Sequence, residues 1–593
     1  MYRRTFLKLA TGGTGLLGLG SVTLGGRNWW MTRRLLIRLG LLHPPANLLR
    51  NADFRQCTNP GFPDYWDLPG AAASIQDSRN LLELCQDSPL PSVQAVRLRN
   101  PVAEYPLTLE SYDAAWDIGS RSPGPYTFSA YLRSEPADLP VGVVLNNRYT
   151  TEIRAGSGWQ RHHVTAPPTT REENLLVRLR ISRPATLYVA APQLEVGTEP
   201  TPFSTALIDD HPLPVWKTGV EAEPSHNPQN LLSPARPGWL TNQVSPFLVT
   251  GLYMPLENCP ASAWQWQDIR RHGFNTVALS SPSPTGKGLE PLRALLDAAH
   301  ANGLRAAVFL NHDRGAGFEE LAANLVRQMD ALKDHPAILC WFLADEPASW
   351  WDNPSLGRHR GQLKDLYAAA RRADPNRRLI INEVPRGQGP KGIRVPLEAA
   401  DVGSLDSYPF GTNANGVEAI AACARLLNAA CLPAGKQSAF WLQLSGGSGG
   451  IGREPTPAEV VAMTYLALIR GCSGLFYWLY KPANPGLWDL WLELKDELAR
   501  LEELWTRPEA CWVSVGQTAA AVHYAVWETG SRSYLLACNA RDEAAAAAFP
   551  VTQLPSGSCT QAVPWYGGSP VHLQDGQLFA YFEPLERRVI ELS

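Results

Sequence analysis

Two adjacent carboxylic acids, Asp345 and Glu346, follow directly on an apolar run of the sequence. The segment from His335 to Pro347 reads HPAILCWFLADEP, and its apolar residues have the length and composition of a buried strand. Neighbouring carboxyl groups can take different roles in a proton transfer, since their surroundings can keep one protonated and the other ionised. The pair therefore indicates acid–base chemistry at the end of this strand, with Glu346 as proton donor and Asp345 orienting it.

Other apolar runs also end in polar or aromatic residues. Asp406 follows the run Gly-Ser-Leu and is the candidate partner of Glu346 in catalysis. Glu383 is either a ligand-binding carboxylate or the partner of Arg386 in an ion pair at the rim. Side chains of these kinds bind the hydroxyl groups or the flat faces of a ligand, and the predicted substrate-binding residues are Asn311, Glu383, Tyr408, Gln443 and Trp478.

The runs that carry these residues belong to a repeating pattern that starts at Phe247. Eight short apolar runs alternate with amphipathic stretches of helical period, such as Phe318 to Leu332. The alternation predicts a (β/α)8 TIM barrel over residues 246–508, because no glycine-rich phosphate loop of a doubly wound sheet follows any of the runs. All strands of such a barrel end at one rim. The predicted strands are 247–252, 274–279, 304–310, 338–344, 378–382, 401–406, 438–443 and 474–479.

Carboxylates, amides and aromatic rings at one rim are the groups that cleavage of a glycosidic bond requires. With its HPAI…ADEP segment, the predicted barrel resembles the retaining glycoside hydrolases of the large (β/α)8 clan, whose acid/base Glu ends strand four. The resemblance implies a hydrolase that cleaves O-glycosidic bonds of a polysaccharide or oligosaccharide. It also implies that Glu346 is the acid/base residue.

The end of strand seven departs from that clan, which has its nucleophilic Glu where this sequence has Gln443. Asp406 is then the first candidate for the second catalytic group, and Glu383 is the second. A third route is substrate assistance by an N-acetyl group, for which the Asp345-Glu346 dipeptide is similar to the pair in N-acetylhexosaminidases. The alternative outside catalysis is an envelope protein that binds polysaccharide on a degenerate glycosidase barrel.

Two further domains are predicted on either side of the barrel. Residues 47–205 consist of short alternating strands between glycines and prolines, which predicts a β-sandwich, and residues 509–593 predict a second, smaller one. The first segment resembles jelly-roll carbohydrate-binding modules, and 206–245 is a linker. In the 47–205 segment, the candidate aromatic platforms for sugar binding are Tyr65, Trp66, Trp116 and Trp159, and core packing is the favoured role for Trp66 and Trp159.

The first 46 residues have the composition of a targeting segment. Met1 to Ala52 contains no Asp or Glu, and Arg3-Arg4-Thr5-Phe6-Leu7-Lys8 precedes a weakly apolar, glycine-rich stretch. This start resembles the twin-arginine export signal and implies a periplasmic, envelope or extracellular protein. Residues 28–42 combine arginines with apolar side chains, a pattern that also suits association with a membrane surface.

Composition narrows the function classes. The 593 residues carry 53 basic and 56 acidic side chains, a net charge of −3, which argues against a protein dedicated to nucleic acid. The 10 cysteines have no spacing typical of zinc or redox sites, so no metal or organic cofactor is expected. The partner predicted by these observations is a carbohydrate.

Overall fold

The structure is a computed structural model, and it describes most of the chain. The predicted export signal and linker lie outside the described residues, as do Trp116 and Arg386. The described ranges are 46–69, 81–103, 106–114, 125–167, 174–205, 247–254, 263–283, 285–385, 396–410, 416–446, 452–507, 509–518, 520–551, 559–566 and 569–593.

Two five-stranded antiparallel sheets form the N-terminal region, in the orders β1-β4-β9-β6-β7 and β2-β3-β10-β5-β8. Alternate side chains of the strands, such as those of β6, are buried between the sheets in one hydrophobic cluster. The jelly-roll assignment stays a prediction. The strands are β1 Trp66–Asp67, β2 Leu82–Cys85, β3 Ala95–Asn100, β4 Leu107–Ser111, β5 Tyr126–Glu135, β6 Leu139–Leu145, β7 Tyr149–Ala155, β8 Gln160–Ala166, β9 Val177–Ile181 and β10 Ala185–Val196.

Three of the four predicted sugar platforms of this region are described. Trp66 is buried in the core as expected, whereas Trp159 is half-buried at the surface and packs edge-on against Tyr188, so its predicted core role is wrong. The backbone N–H of Tyr65 donates to the carbonyl of Gly452 in the barrel region at 2.7 Å. Tyr65 therefore lies against the central region, whereas Trp159 lies on the sandwich away from this contact; both rings are half-buried.

The central region is a closed barrel of eight parallel strands, which confirms the predicted TIM barrel. Every strand begins and ends within two residues of its predicted bounds, because the apolar runs are buried on both faces. The strands are β11 Val249–Tyr253, β12 Thr276–Ser280, β13 Arg305–Phe309, β14 Ile338–Asp345, β15 Arg378–Glu383, β16 Val402–Ser407, β17 Gln437–Gln443 and β18 Gly474–Trp478.

Helices surround this barrel and pack their apolar faces on the strands. The Thr456 side chain caps one of them by accepting from the Glu459 N–H, while Glu459 reaches back to the Thr456 N–H. The helices are α1 Ala263–Arg271, α2 Glu290–Ala301, α3 Phe318–Leu332, α4 Pro347–Trp350, α5 Leu363–Ala373, α6 Glu418–Cys431, α7 Pro457–Ile469, α8 Pro485–Asp489 and α9 Trp491–Trp505. Among the described residues, no helix combines the length and apolar character needed to cross a membrane.

The C-terminal region contains a five-stranded and a three-stranded antiparallel sheet. It is joined to the barrel by partly buried polar contacts, such as the ion pair of Arg587 and Glu497 at 2.8 Å, and by an apolar cluster that both regions share. Its strands are β19 Cys511–Gln517, β20 Val522–Thr529, β21 Arg532–Asn539, β22 Ala545–Pro550, β23 Ala562–Pro564, β24 Val571–Gln574, β25 Gln577–Phe582 and β26 Arg587–Leu592.

Candidate active site

Three consecutive strands of the barrel, β14, β15 and β16, bring four carboxyl groups to one rim. They belong to Asp345, Glu346, Glu383 and Asp406. The Asn382 amide links two of the strands, because its Nδ2 donates to Asp345 Oδ1 at 3.1 Å and its Oδ1 accepts from the Ser404 hydroxyl at 3.0 Å. Since Ser404 and Asn382 are buried, this chain fixes Asp345 from below.

Glu346 stands at the point where β14 turns into α4. Its backbone has φ 46° and ψ 47°, a left-handed conformation that is uncommon for residues other than glycine. The Glu346 N–H donates to the Asn382 carbonyl at 2.9 Å and so continues the β14–β15 ladder by one residue. Pro347 then starts the helix with a fixed φ. The turn holds the half-buried Glu346 side chain among the other carboxyl groups.

Asp406 is hydrogen-bonded to Glu346 and is almost fully buried, with 6% of its surface exposed. Burial, the charges of Glu346 and Asp345, and this hydrogen bond raise the pKa of Asp406 well above its ordinary value. Asp406 Oδ1 has no hydrogen-bond partner among the described residues. Asp406 is therefore shifted toward its neutral form, and its hydrogen bond to Glu346 joins the two carboxyl groups at the place where an acid catalyst would act.

Asp345 is exposed at the mouth of the barrel, yet the surrounding protein still limits its hydration. Desolvation and the adjacent Glu346 raise its pKa to about 6, against the opposing effects of the Asn382 hydrogen bond and the Arg314 charge. Asp345 is therefore mainly ionised at pH 7. The surroundings thus leave Asp345 as an anion and shift the buried Asp406 toward its neutral form.

Glu383 is fully buried at the end of β15 and pairs with Arg360, whose Nη2 lies 3.1 Å from Oε1. Arg360 belongs to the loop that follows α4. Desolvation raises the Glu383 pKa to about 7, and the charges of Glu346 and Asp345 act in the same direction. The described structure pairs Glu383 with Arg360, whereas the predicted partner Arg386 lies outside the described residues. Its burial also argues against direct contact with substrate.

Replacing Glu383 by Gln is expected to stabilise the protein above pH 7. A carboxyl whose pKa is higher in the folded than in the unfolded state contributes stability below the unfolded value, and this contribution is lost as the pH rises through the folded pKa. For Glu383 the window runs from about 4.5 to about 7, and the gain from removing the charge is on the order of 2 kcal/mol at pH 8. Urea unfolding of wild type and Glu383→Gln at pH 5 and pH 8 measures this change in the free energy of unfolding.

The exposed Asp352 in the same loop provides the control for that measurement. Asp352→Asn should leave the free energy of unfolding within about 0.5 kcal/mol of wild type at both pH values. An equal effect of Glu383→Gln at pH 5 and pH 8 would contradict the assigned ionisation.

Aromatic rings line the rim beside the carboxyl groups. Tyr253 and Trp478 stack with centroids 4.4 Å apart, and Tyr408 lies 6.3 Å from Trp478. Tyr253 also meets Trp441 edge-on at 6.4 Å, above the apolar cluster that fills the barrel interior. Tyr253 and Trp478 are half-buried, so each keeps surface at the mouth. Flat rings next to hydroxyl-bearing and acidic groups are typical of a carbohydrate site.

The two predicted substrate-binding amides both make hydrogen bonds within the protein, and those of Gln443 use both of its polar atoms. Gln443 is fully buried; its Oε1 accepts from the Phe410 N–H at 3.1 Å, and its Nε2 donates to the carbonyls of Ser445 and Arg453 at 3.0 and 2.7 Å. These contacts hold the loops after β16 and β17 together, so the geometry gives no support to the predicted contact with substrate. The Asn311 Nδ2 is likewise bonded to the Ser281 carbonyl at 3.0 Å.

Three further residues of the candidate site were not among the catalytic and substrate-binding residues predicted from the sequence. Tyr253 ends β11, and Asn382 stands beside Glu383 at the end of β15, so both follow the rule that marked the other rim residues. Trp441 lies within β17, and its indole N–H is buried without a partner among the described residues. Position along a strand identifies the first two, whereas only the barrel register shows that Trp441 is paired with Asp406.

A cavity of about 310 Å³ lies apart from the carboxyl groups, where the three regions of the chain meet. Arg453 spans part of its wall, with its guanidinium paired to Glu459 and packed 4.2 Å from the Phe410 ring centroid. The carboxyl groups of the candidate site do not line it. The residues that line it are Asp64, Tyr65, Phe410, Gly416, Val417, Arg453, Glu459, Ala540, Asp542 and Leu585.

Comparison with known proteins gives matches in structure only. No family model matches the sequence, and no curated protein matches it. Among solved structures, a GH30 endoxylanase from Clostridium papyrosolvens C71 is 12% identical with a TM-score of 0.36, over 59% of this chain and 98% of that one. An α-amylase from Geobacillus thermoleovorans, complexed with acarbose, is 8% identical with a TM-score of 0.40, over 58% and 98%.

A longer match is to the CBM22-1–GH10 modules of endo-1,4-β-D-xylanase 10B from Clostridium thermocellum, complexed with xylohexaose. That match is 9% identical with a TM-score of 0.28, and it covers 74% of this chain and 90% of that one. The structural neighbours of this chain are thus glycoside hydrolases at very low sequence identity.

Proposed function

We propose that this protein is a glycoside hydrolase that cleaves O-glycosidic bonds of a polysaccharide or oligosaccharide, with Glu346 as the general acid. The observation that carries the proposal is the hydrogen-bonded pair of Glu346 and Asp406 at the mouth of the barrel, beside the ionised Asp345. Glu346 protonates the leaving oxygen while Asp406 hydrogen-bonds to it, and the nearby Asp345 anion stabilises the positive charge that develops on the sugar. Tyr253, Tyr408 and Trp478 provide faces on which a sugar ring can pack.

Release of reducing ends from a panel of plant, fungal and bacterial polysaccharides tests this function. Wild-type protein and the Asp352→Asn control should both release ends from at least one polymer, and Glu346→Gln should not. If all three proteins bind a polymer without cleaving it, the alternative of a polysaccharide-binding protein replaces the hydrolase. The sequence suggested that alternative because Gln443 stands where the clan has its nucleophilic Glu. In the structure, Gln443 has a structural role, since it hydrogen-bonds to backbone groups of the loops after β16 and β17.

Trp478→Ala is expected to raise KM for a short oligosaccharide about tenfold, with a smaller change in kcat. A stacked ring contributes about 1.4 kcal/mol to sugar binding, and most of this interaction is present before bond cleavage begins. Steady-state kinetics measure both constants. Trp565→Ala removes a half-buried tryptophan from the C-terminal region and is the matched control, with unchanged KM on the same substrate. An unchanged KM for Trp478→Ala would remove this ring from the site.

Export and membrane association belong to the same proposal. The twin-arginine segment and the basic stretch at 28–42 support delivery of a folded protein to the periplasm, envelope or extracellular space. Glycan binding by the N-terminal region is proposed on the half-buried Trp159 and Tyr188 rings. Cell fractionation of wild type beside an Arg3→Lys, Arg4→Lys variant tests export, and retention of the variant in the cytoplasm is the expected result.

A further inference from the structure

Two arginines lie beside the candidate site, in the loops that follow β13 and α4. Arg314 is exposed, whereas Arg358 is almost fully buried, with 2% of its surface exposed. Their guanidinium carbons lie 4.7 and 5.6 Å from the centroid of the half-buried Trp350 ring. Arg358 Nη2 also donates to the Arg314 carbonyl at 2.8 Å and so ties the two loops together. Arg314, Arg358 and Trp350 together form the arginine cluster.

Trp350 connects the arginine cluster to the carboxyl groups of the candidate site. Its indole N–H donates to the Asp345 carbonyl at 2.7 Å, and Asp345 directly precedes the proposed acid Glu346. The Arg314 charge opposes the rise of the Asp345 pKa, as expected of a cation near that carboxyl. The two arginines therefore lie one indole ring away from the strand end that carries the acid.

The arginine cluster has no anionic partner in the part of the chain that the structure describes. No carboxylate there forms an ion pair with either guanidinium, and the nearby Asp313 uses its Oδ1 to accept from the Gly315 N–H at 2.9 Å. Arg358 Nε and Nη1 are buried without a hydrogen-bond partner among the described residues. Desolvation and the Arg314 charge accordingly lower the Arg358 pKa. Because a buried charge is costly unless it is paired, the cluster is suited to an incoming anion.

His312 lies beside the arginine cluster but is not a third cation. Its ring is 5.2 Å from the Trp350 ring, and its Nε2 lies 2.7 Å from the Leu343 carbonyl, so Nε2 carries the proton. Burial lowers the His312 pKa to about 4, which leaves the ring neutral at pH 7. Nδ1 is then an acceptor, and it has no partner among the described residues. An acceptor suits a sugar hydroxyl, so only the two arginines are available to an anion.

We propose that the arginine cluster binds an oxyanion carried by the substrate, a carboxylate or a sulfate ester, and that the polymer cleaved at Glu346 is an acidic polysaccharide. The inference rests on the proposed function and names its substrate class. Arg314 makes the direct contact, because it is the exposed arginine and its guanidinium offers two parallel N–H donors to such an anion. Arg358 is a positioning residue that adds charge from the buried side and holds the Arg314 backbone.

The experiment compares acidic polymers with their neutral forms. Full-length wild type is incubated with polygalacturonate, glucuronoxylan and a sulfated galactan, each beside the same polymer after carboxyl reduction or desulfation. We expect kcat/KM to be at least about tenfold higher on one acidic polymer than on its neutral form, because a charge-assisted contact is lost with the anion. The pair that responds identifies the anion as a carboxylate or a sulfate. Added NaCl should reduce the ratio, since the exposed Arg314 is screened by salt.

Arg314→Gln and a matched control locate this preference. Arg314→Gln should bring the ratio of kcat/KM on the acidic and neutral forms down to about one. Arg372 is also exposed, but it lies near the end of α5, just before β15 begins, and therefore at the opposite end of the barrel from the mouth. Arg372→Gln should keep the wild-type ratio. Arg358→Gln should lower the ratio as well, whereas loss of a merely structural contact would lower both activities equally and leave the ratio unchanged.

The outcomes separate this inference from the proposed function. Equal kcat/KM on the acidic and neutral forms of every pair overturns the acidic substrate and leaves the hydrolase standing. A preference for an acidic polymer that survives in Arg314→Gln overturns the assignment to the arginine cluster. If no polymer is cleaved, calorimetry with oligosaccharides of the same acidic polymers decides. Binding that is at least about tenfold weaker in Arg314→Gln supports the anion site and contradicts the hydrolase, and no binding, or equal binding by both proteins, overturns both.

Discussion

Glu346→Gln is expected to lower kcat about 1000-fold on the preferred substrate while the fold stays intact. General-acid catalysis contributes about 10²–10⁴-fold, and Gln has the shape of Glu without a proton that it can transfer. The half-buried side chain leaves room for the amide, and Asp406 can still hydrogen-bond to it. Reducing-end assays give kcat, and circular dichroism with a thermal melt establishes that the variant is folded. The Asp352→Asn control should retain wild-type turnover.

A change of leaving group distinguishes loss of the acid from mere displacement of the substrate. An aryl glycoside with a strongly acidic phenol departs without being protonated, so the Glu346→Gln defect should shrink to about tenfold on such a substrate. A structural role for Glu346 would lower activity equally on both substrates. Wild-type turnover by the variant on a natural polymer would remove Glu346 from the catalytic machinery.

The barrel could be predicted closely from the sequence because the physical signal is repeated eight times. A parallel strand that is covered on both faces reads as a short apolar run, and each run, such as Ile338–Asp345, stands between helices of amphipathic period. The rim residues follow from the same rule, since all strands end on one side. The same rule places Glu346, Glu383 and Asp406 at the ends of three neighbouring strands.

What the sequence could not show is the direction in which a side chain at a strand end points. Gln443 and Asp406 both follow apolar runs, yet Gln443 turns into the loops around Phe410 while Asp406 meets Glu346. Trp159 similarly has the residue type of a core filler, but its place before β8 leaves it at the surface. Such outcomes depend on register and loop packing, which involve residues far apart in the chain. The contact between the Glu346 and Asp406 carboxyl groups likewise depends on the tertiary structure and cannot be read from the sequence.

Asp406→Asn is expected to lower kcat about 100-fold at pH 7 and to narrow the pH–rate profile from its alkaline side. In wild type, burial, the neighbouring charges and the hydrogen bond to Glu346 raise the pKa of Asp406, so Asp406 holds a proton beside Glu346 to higher pH than an exposed aspartate would. The Asn side chain donates an N–H to the Glu346 carboxylate and stabilises the ionised, inactive form of the acid. The alkaline limb of kcat should therefore move down by about one pH unit, and activity at pH 5 should fall less than activity at pH 8. Steady-state kinetics from pH 4 to pH 9 measure the limb.

The same profile separates positioning from direct participation by Asp406. If Asp406 were the nucleophile, Asp406→Asn would be inactive at every pH, and added azide or formate would restore turnover by replacing the lost carboxylate. A positioning role predicts residual activity at low pH and no rescue, because the acid Glu346 is still present and only the Asp406 proton beside it is lost. Asp406 lies on β16, two strands from the β14 end that carries Glu346, and is hydrogen-bonded to Glu346. Its replacement should therefore change the pH dependence of kcat rather than KM.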